Sequence, residues 1–317
     1  MKEPTQRPFL PPLSVIVFGI LAVSTGSIFV RYAQVYAPSI VIAAYRLGLA
    51  TLFLAPVALL RHRSELRGIQ GRDRTLAIGS GIFLALHFAT WISSLEYTTV
   101  VSSVVLVSTA PLWVALLSPI TVKEPLTKPI LIGMGIAFIG VVIVGVSDVC
   151  SIQGGKLLCP SFNEFIHGEA FVGDLLALVG AWMAAGYLLI GRRLRVRISL
   201  VPYIFVVYGI AAIVLAILMF ASGQTAYGYS PQTYLWLILL ALVPQIMGHS
   251  SFNWALGYLS AAFVSITLLG EPIGSAVLAY ILLDEAPTVL KIFGAILILA
   301  GIYVASRGEV KIATPQD

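Results

Sequence analysis

Charge is what this chain is poorest in. Lys and Arg number 19 and Asp and Glu 14 in 317 residues, so 10% of the side chains are charged, where soluble domains carry about a quarter. Too few ionisable groups are present to coat a water-facing surface of this size. Cysteine occurs twice, as Cys150 and Cys159 in one inter-helix loop, with no CxxC or mixed Cys/His spacing, which argues against a metal site there. In an oxidising exterior the two would form a disulfide; two free thiols are the alternative. H-E-x-x-H, a Gly-rich phosphate loop and paired loop carboxylates are also missing, and with them the recognisable routes to a membrane enzyme. No metal and no cofactor are expected, and the absence of a nucleotide-binding domain argues against direct ATP drive.

Apolar sequence is abundant instead. Hydrophobic residues make up 59% of the chain, mean hydropathy is +0.97, and the charges fall in short clusters between long apolar runs. That pattern means bilayer-spanning helices of roughly 20 residues. Ten candidates are predicted: 13–33, 38–60, 75–96, 100–121, 129–147, 170–191, 200–222, 233–255, 260–283 and 287–306. Pro38, Pro129 and Pro287 open three of them, where a missing N–H costs least.

A pI of 9.2 raises nucleic acid as a partner, but the bases sit in short loops with no soluble module to present them. Topology explains them better. With the N-terminus in the cytoplasm, the inner loops receive Lys2, Arg7, Arg61, Arg63, Arg67, Arg72, Arg74, Lys123, Lys128, Arg192, Arg193, Arg195, Arg197, Arg307 and Lys311, and the outer loops only Lys156. The expectation is therefore a multi-pass protein of the plasma (inner) membrane with both termini cytoplasmic. The first apolar run is already a full span, so no cleaved signal peptide is expected.

The chain also repeats itself. A shift of 161 residues sets Leu95 and Tyr97 on Leu256 and Tyr258, Pro111 on Pro272, Glu124 on Glu285, and Gly133 and Gly140 on Gly294 and Gly301. His87 and His249 nearly coincide, one residue out of register. Co-aligned Pro, Glu and Gly are rare in spans, so the match is a true duplication of 13–147 in 170–306. Five helices per unit is an odd number, so the second copy enters the membrane from the opposite side. The predicted fold is all-α: ten transmembrane helices as two inverted five-helix repeats around a central cavity. Inverted repeats can form one gate on each side, the logic of alternating access, and so favour a carrier over a channel or a membrane enzyme.

The runs SLEYTTVVSS leading to Pro111, GEPIGSAVLAYILLDE followed by Gly294 and Gly301, and APSIVIAAYRLGLA in the second span resemble the drug/metabolite transporter superfamily, specifically its EamA-type ten-helix members. The resemblance covers about residues 13–306. It implies two EamA units, cytoplasmic termini, a cavity lined mainly by helices 1, 3, 4, 6, 8 and 9, and small-molecule substrates: amino acids, metabolites, nucleotide precursors or toxic compounds. Efflux exchanged against protons is the mechanism it implies.

Polar groups in hydrocarbon are costly and need a partner or a wet cavity. Ser24, Ser27 and Arg31 share one face of the first span; His87, Trp91 and Ser94 one of the third; Gln245, His249 and Asn253 one of the eighth; Thr267, Glu271 and Ser275 one of the ninth. Interhelical hydrogen bonding is the competing reading, and the preferred one for Ser and Thr. Glu271, ahead of Pro272, is the strongest candidate. Pro272 removes the bond to the Leu268 carbonyl as Pro111 does for Val107, and broken helices at equivalent depths mark binding sites. Glu271 would carry a coupling proton, bind a cationic substrate or merely hold the kink. His87 and His249 are candidate proton carriers or substrate donors, and Trp91 and Trp182 candidate aromatic walls or packing residues. Arg46 needs a carboxylate, carbonyl or water, with a structural ion pair preferred. The paired glycines read as close helix packing.

Overall fold

In hydrocarbon every backbone N–H and C=O must be satisfied inside its own segment or by a neighbour, which leaves helices as the natural spanning element. The computed structural model describes residues 8–98, 103, 106–149, 151–153, 156–158, 169–283 and 288–312. In chain order these form α1 (Pro12–Val23), α2 (Gly26–Gln34), α3 (Ser39–Arg61), α4 (Arg63–Gly68), α5 (Gly71–Tyr97), α6 (Ala110–Thr121) and α7 (Lys128–Val149). A hairpin of β1 (Ser151–Gln153) and β2 (Lys156–Leu158) follows, then α8 (Glu169–Arg195), α9 (Leu200–Ala221) and α10 (Pro231–Leu240). A π-helical segment (Ala241–His249) leads into α11 (Ser250–Ala255), and α12 (Ala261–Thr267) passes through a 3₁₀ turn (Leu268–Gly270) into α13 (Glu271–Leu283); α14 (Val289–Ile312) is last. Seven helical stretches are long and apolar enough to cross a membrane, and Ala110–Thr121, Lys128–Ile143 and Ile292–Gly308 are shorter apolar helices.

The all-α expectation holds for the fold, with one small addition outside the spans. Within the long loop after α7, β1 and β2 pair antiparallel with Ser151 opposite Leu158 and Gln153 opposite Lys156. Cys150 and Cys159, which flank this hairpin, lie outside the described residues. The short helix α4, in the basic loop after α3, was likewise not predicted. Its Glu65 carboxylate accepts the Ser199 N–H and the Ser199 hydroxyl, both at 2.6 Å, joining that loop to the start of α9. Partial burial alone would raise the Glu65 pKa, but the Ser199 and His62 bonds outweigh it and hold the carboxyl below its ordinary value.

The closest helix pairs join the first half of the chain to the second: α7 with α14, α5 with α8, and α3 with α9. Glycine permits the tightest of these. A Cβ on Gly133 would lie 2.4 Å from the Gly301 carbonyl oxygen, and one on Gly140 would lie 2.6 Å from that of Gly294. The two helices therefore run antiparallel with backbone against backbone. A second close approach repeats at the 161-residue interval. Gly19 of α1 meets Ser251 and Phe252, while Gly180 of α8 meets Thr90 and Trp91.

Four spans lose regular α-helix near mid-length. Between α1 and α2, Ser24 and Thr25 donate their hydroxyls to the Ile20 and Ala22 carbonyls at 2.7 and 2.8 Å, a back-bonding that bends helices. At the start of α6, the Leu112 N–H bonds the Thr109 carbonyl at 2.9 Å in a 3₁₀ step that spans Pro111. The π segment contains Pro244, whose ring cannot donate to the Leu240 carbonyl. In the 3₁₀ turn the Glu271 N–H takes the Leu268 carbonyl, the acceptor that Pro272 leaves free.

The glycine contacts give a stability test. Gly133→Ala is expected to cost about 1–3 kcal/mol through overpacking, read as a lower melting temperature of the detergent-solubilised protein. Gly135→Ala, where an added Cβ meets nothing within 4 Å, is expected to leave melting unchanged or slightly raised.

Candidate functional site

The four irregular stretches border one partly open cavity. A cavity of about 80 Å³ is lined by Val23, Arg46, His87, Phe88, Trp91, Val107, Ser108, Ala110, Pro111, Ala184, Tyr187, Leu188, His249, Phe252, Leu268, Leu269, Glu271 and Pro272. Ligand pockets for drug-sized molecules run to several hundred Å³, so this conformation admits only a small guest. Seven pairs of these residues stand 161 positions apart: Val23 and Ala184, Phe88 and His249, Trp91 and Phe252, Val107 and Leu268, Ser108 and Leu269, Ala110 and Glu271, Pro111 and Pro272. The unpaired four are Arg46, His87, Tyr187 and Leu188.

Arg46 sits on α3 with only 1% of its surface exposed. Its Nε donates to the Gln245 Oε1 at 2.8 Å, and its guanidinium carbon lies 4.2 Å from the centre of the Phe88 ring, a cation–π contact. Its Nη1 is buried with no hydrogen-bond partner among the described residues. The expected ion pair is thus corrected. Among the described residues the ion pairs are His62–Glu65, Arg192–Glu124 and Arg197–Asp73, and Arg46 is held by an amide and an aromatic face instead.

Glu271 opens α13, and its backbone carbonyl accepts from the Ser24 hydroxyl at 3.2 Å, binding the break in the first span to the break in the ninth. The Glu271 carboxylate makes no hydrogen bond or ion pair among the described residues. His87 donates Nδ1–H to the Gly180 carbonyl at 2.9 Å, which fixes the tautomer and leaves Nε2 as an acceptor in the neutral ring. Its ring is parallel to that of Trp91 at 6.2 Å. The Trp91 Nε1–H is buried without a partner among the described residues. His249 packs edge-on against Phe88 at 5.2 Å.

His87, Trp91, His249, Glu271, Arg46, Pro111 and Pro272 therefore meet at one cavity. Four other candidates do not line it. Gln245 stands behind Arg46 as its acceptor. Asn253 accepts from the Tyr187 hydroxyl at 2.7 Å and donates to Tyr208 at 3.2 Å, one layer behind the wall. Ser27 donates to Ser275 at 3.3 Å, an interhelical bond. Trp182 is 42% exposed and packs edge-on against Trp113 at 5.4 Å, on the outer side of its helix. Sequence reasoning missed Phe88, Tyr187 and Phe252; the 161-residue shift was the available signal, since it maps Trp91 onto Phe252 and His249 onto Phe88. It also corrects the pairing of the two histidines. The equivalent of His249 is Phe88, the residue it touches.

The architecture is that of a polytopic helical membrane protein with a central cavity at broken helices. The EamA-like transporter family matches residues 11–146 and again residues 171–307, so the chain belongs to that family and is a membrane transporter. It is 25% identical over 273 residues to an uncharacterized transporter of Archaeoglobus fulgidus, spanning 84% of this chain and 88% of that one. It is 26% identical over 296 residues to the uncharacterized transporter YyaM of Bacillus subtilis, spanning 90% of each. A solved crystal structure shares the fold with a TM-score of 0.73 at 19% identity, covering 96% of this chain and 99% of that chain.

The Arg46 anchor is testable by stability. Gln245→Leu strips a buried guanidinium nitrogen of its acceptor and is expected to cost about 1–3 kcal/mol, measured by thermal unfolding in detergent.

Proposed function

We propose that this transporter is a secondary carrier that moves a small metabolite by alternating access, with ten crossings arranged as two inverted repeats, 13–147 and 170–306. The observation that carries the reading is the cavity lined by seven residue pairs 161 positions apart, at the breaks of four spans. The Gly133–Gly301 and Gly140–Gly294 contacts support it. Under a 161-residue shift each maps onto the other, as a two-fold axis between antiparallel helices requires. The successive family matches support two repeats as well.

One end of the path is tied. The Arg192 guanidinium pairs with the Glu124 carboxylate and donates to the Leu256 carbonyl at 2.9 Å, while Glu124 also accepts the Ala261 N–H at 3.0 Å. The tie joins the loop after α6, the end of α8 and the start of α12. By the positive-inside reading this is the cytoplasmic end of a plasma-membrane protein. The repeat sets Arg31 and Glu285, the latter outside the described residues, at the equivalent positions. Export is the direction the family resemblance favours, and the Glu271 carboxylate in the cavity, without a hydrogen-bond or ion-pair partner among the described residues, is the group best suited to carry a coupling proton.

Purified protein in proteoliposomes tests the class: saturable uptake with counterflow is expected, and unsaturating conductance would make it a channel. Glu271→Gln is expected to abolish stimulation of flux by an imposed pH gradient while counterflow persists; undiminished stimulation would remove the proton role. Glu124→Gln is expected to open the tied end, raising the labelling of a cysteine introduced at Ser108 by an impermeant maleimide added from the cytoplasmic side by several-fold.

A further inference from the structure

A lateral groove of about 630 Å³ runs between α1, α13 and α14 and shares no lining residue with the central cavity. Its walls include Leu13, Val17 and Leu21 of α1, Val277 of α13, and Leu299 and Tyr303 of α14, all exposed. Small residues at the breaks of the first and ninth spans, Ser24, Thr25, Gly270 and Gly274, also line it. There Ser24 donates to the Glu271 carbonyl, and Ser275 donates to the Ser24 carbonyl at 3.1 Å. The other half of the repeat fills the equivalent place. A shift of 161 residues sets Leu21 on Trp182 and Gly274 on Trp113. Those two indoles meet edge-on at 5.4 Å, with Trp113 packed on Ala181 and Ala184. The frame can therefore be closed here with side chains, and the open groove is a departure from it. An apolar surface left without contact atoms forfeits dispersion energy, so in a bilayer a hydrocarbon chain fills it.

Length and charge both point to the occupant. From Leu13 to Thr25 the first span rises about 18 Å, close to the roughly 15 Å of hydrocarbon in one leaflet. Arg307 stands one turn beyond Tyr303 on α14. Its guanidinium carbon lies 5.0 Å from the centre of the Tyr303 ring, and it donates to the Tyr303 hydroxyl. It has no acidic partner among the described residues, and a guanidinium fork matches phosphate. Here too the repeat shows no frame requirement, since Val146 and Val142 hold the positions equivalent to Arg307 and Tyr303. We infer that the groove is a site for an anionic phospholipid, one acyl chain lying along α1 and the phosphate on Arg307. By the positive-inside reading the lipid belongs to the cytoplasmic leaflet. Its chain lies against the residues that join the breaks of the first and ninth spans, so binding favours their present arrangement. The lipid thereby acts on the protein from outside the central cavity, and the site does not depend on the carrier reading.

The test is lipid binding to the delipidated full-length protein in detergent, read by native mass spectrometry and by thermal unfolding. Dioleoyl phosphatidylglycerol is expected to bind about five-fold tighter than dioleoyl phosphatidylcholine, the worth of one arginine at an anionic surface, and to raise the melting temperature further. Arg307→Gln is expected to bring phosphatidylglycerol down to the phosphatidylcholine level while leaving the lipid-free melting temperature unchanged. Leu21→Trp gives the groove the indole that the other half carries, and is expected to weaken both lipids by roughly ten-fold. Ile296→Trp, at an exposed position of α14 outside the groove, is expected to leave both unchanged. Equal affinity of the two lipids for the wild type, full affinity in Leu21→Trp, or the same loss in Ile296→Trp overturns the inference. Should Leu21→Trp not fold, Val17→Trp takes its place with the same expectation, and the Arg307→Gln comparison decides if neither folds. Glycerol 1-phosphate, a headgroup without chains, is expected not to compete; if it displaces the phospholipid at equal concentration, the site is one for a free phosphate and the lipid reading is overturned.

Discussion

A guanidinium in the middle of an apolar helix bundle has to be held by something other than bulk water, and much of this architecture follows from how Arg46 is held. Its two attachments, the Gln245 amide and the Phe88 ring, come from different halves of the chain. Gln245 follows Pro244 in the π segment. A π turn carries an extra residue past the regular register, and here the segment presents Gln245 to Arg46 while its last residue, His249, lies against Phe88. The broken helix, the aromatic cluster and the seam between the halves are thus parts of one solution to a desolvation problem.

The same economy governs the other breaks. A proline in a span frees a carbonyl that lipid cannot satisfy, and the one freed by Pro272 is answered locally, with further side-chain bonds to carbonyls at the other breaks. The Glu271 N–H takes the Leu268 carbonyl, Thr109 and Thr267 donate to carbonyls three residues earlier at 2.7 Å each, and Ser24 bridges to the Glu271 carbonyl. Apart from the Ser24–Glu271 bridge these bonds are short-range, which suits elements that the proposed alternating access would bend. By contrast, α7 and α14 meet backbone to backbone through glycine, with no room to slide. The cavity is lined from the irregular segments with their flanking residues and from α3, α5, α8 and α11, and among the described residues its wall takes none from α7 or α14.

Much of this was legible in the sequence, for physical reasons that also explain what was not. Hydropathy locates helices because lipid demands long apolar runs, and the ranges 38–60 and 200–222 fall within two residues of Ser39–Arg61 and Leu200–Ala221. Glu271, His87 and Trp91 were readable because polar groups and prolines stand out against hydrocarbon. Which face of a helix looks inward is far less legible, since lipid and protein interior are equally apolar. Trp182 shows the failure: it shares a helix with the lining residue Tyr187 and points outward. Gln245 and Asn253 were found as polar but placed one layer too far in, because a stripe at helical spacing does not account for a π segment that shifts the register. The hairpin at Ser151–Leu158 escaped notice because a polar loop carries no periodic signal.

The duplication separates what the frame needs from what a guest needs. Proline meets proline at positions 111 and 272, glycine meets glycine at 19 and 180, and an aromatic meets an aromatic at 91 and 252. Those matches concern bending, close approach and wall shape, which both halves must supply alike if the two end states are to be similar in energy. Charge is not matched: Arg46 faces Val207 and Glu271 faces Ala110 across the repeat. A carrier whose two states are mechanically equivalent can still bind its cargo in one orientation, because the cargo reads the charges and the gates read the frame. Mutations at the matched positions should therefore disturb the balance between states, and mutations at the unmatched ones should change what is bound. The boundary between mechanism and specificity then runs along the 161-residue repeat itself.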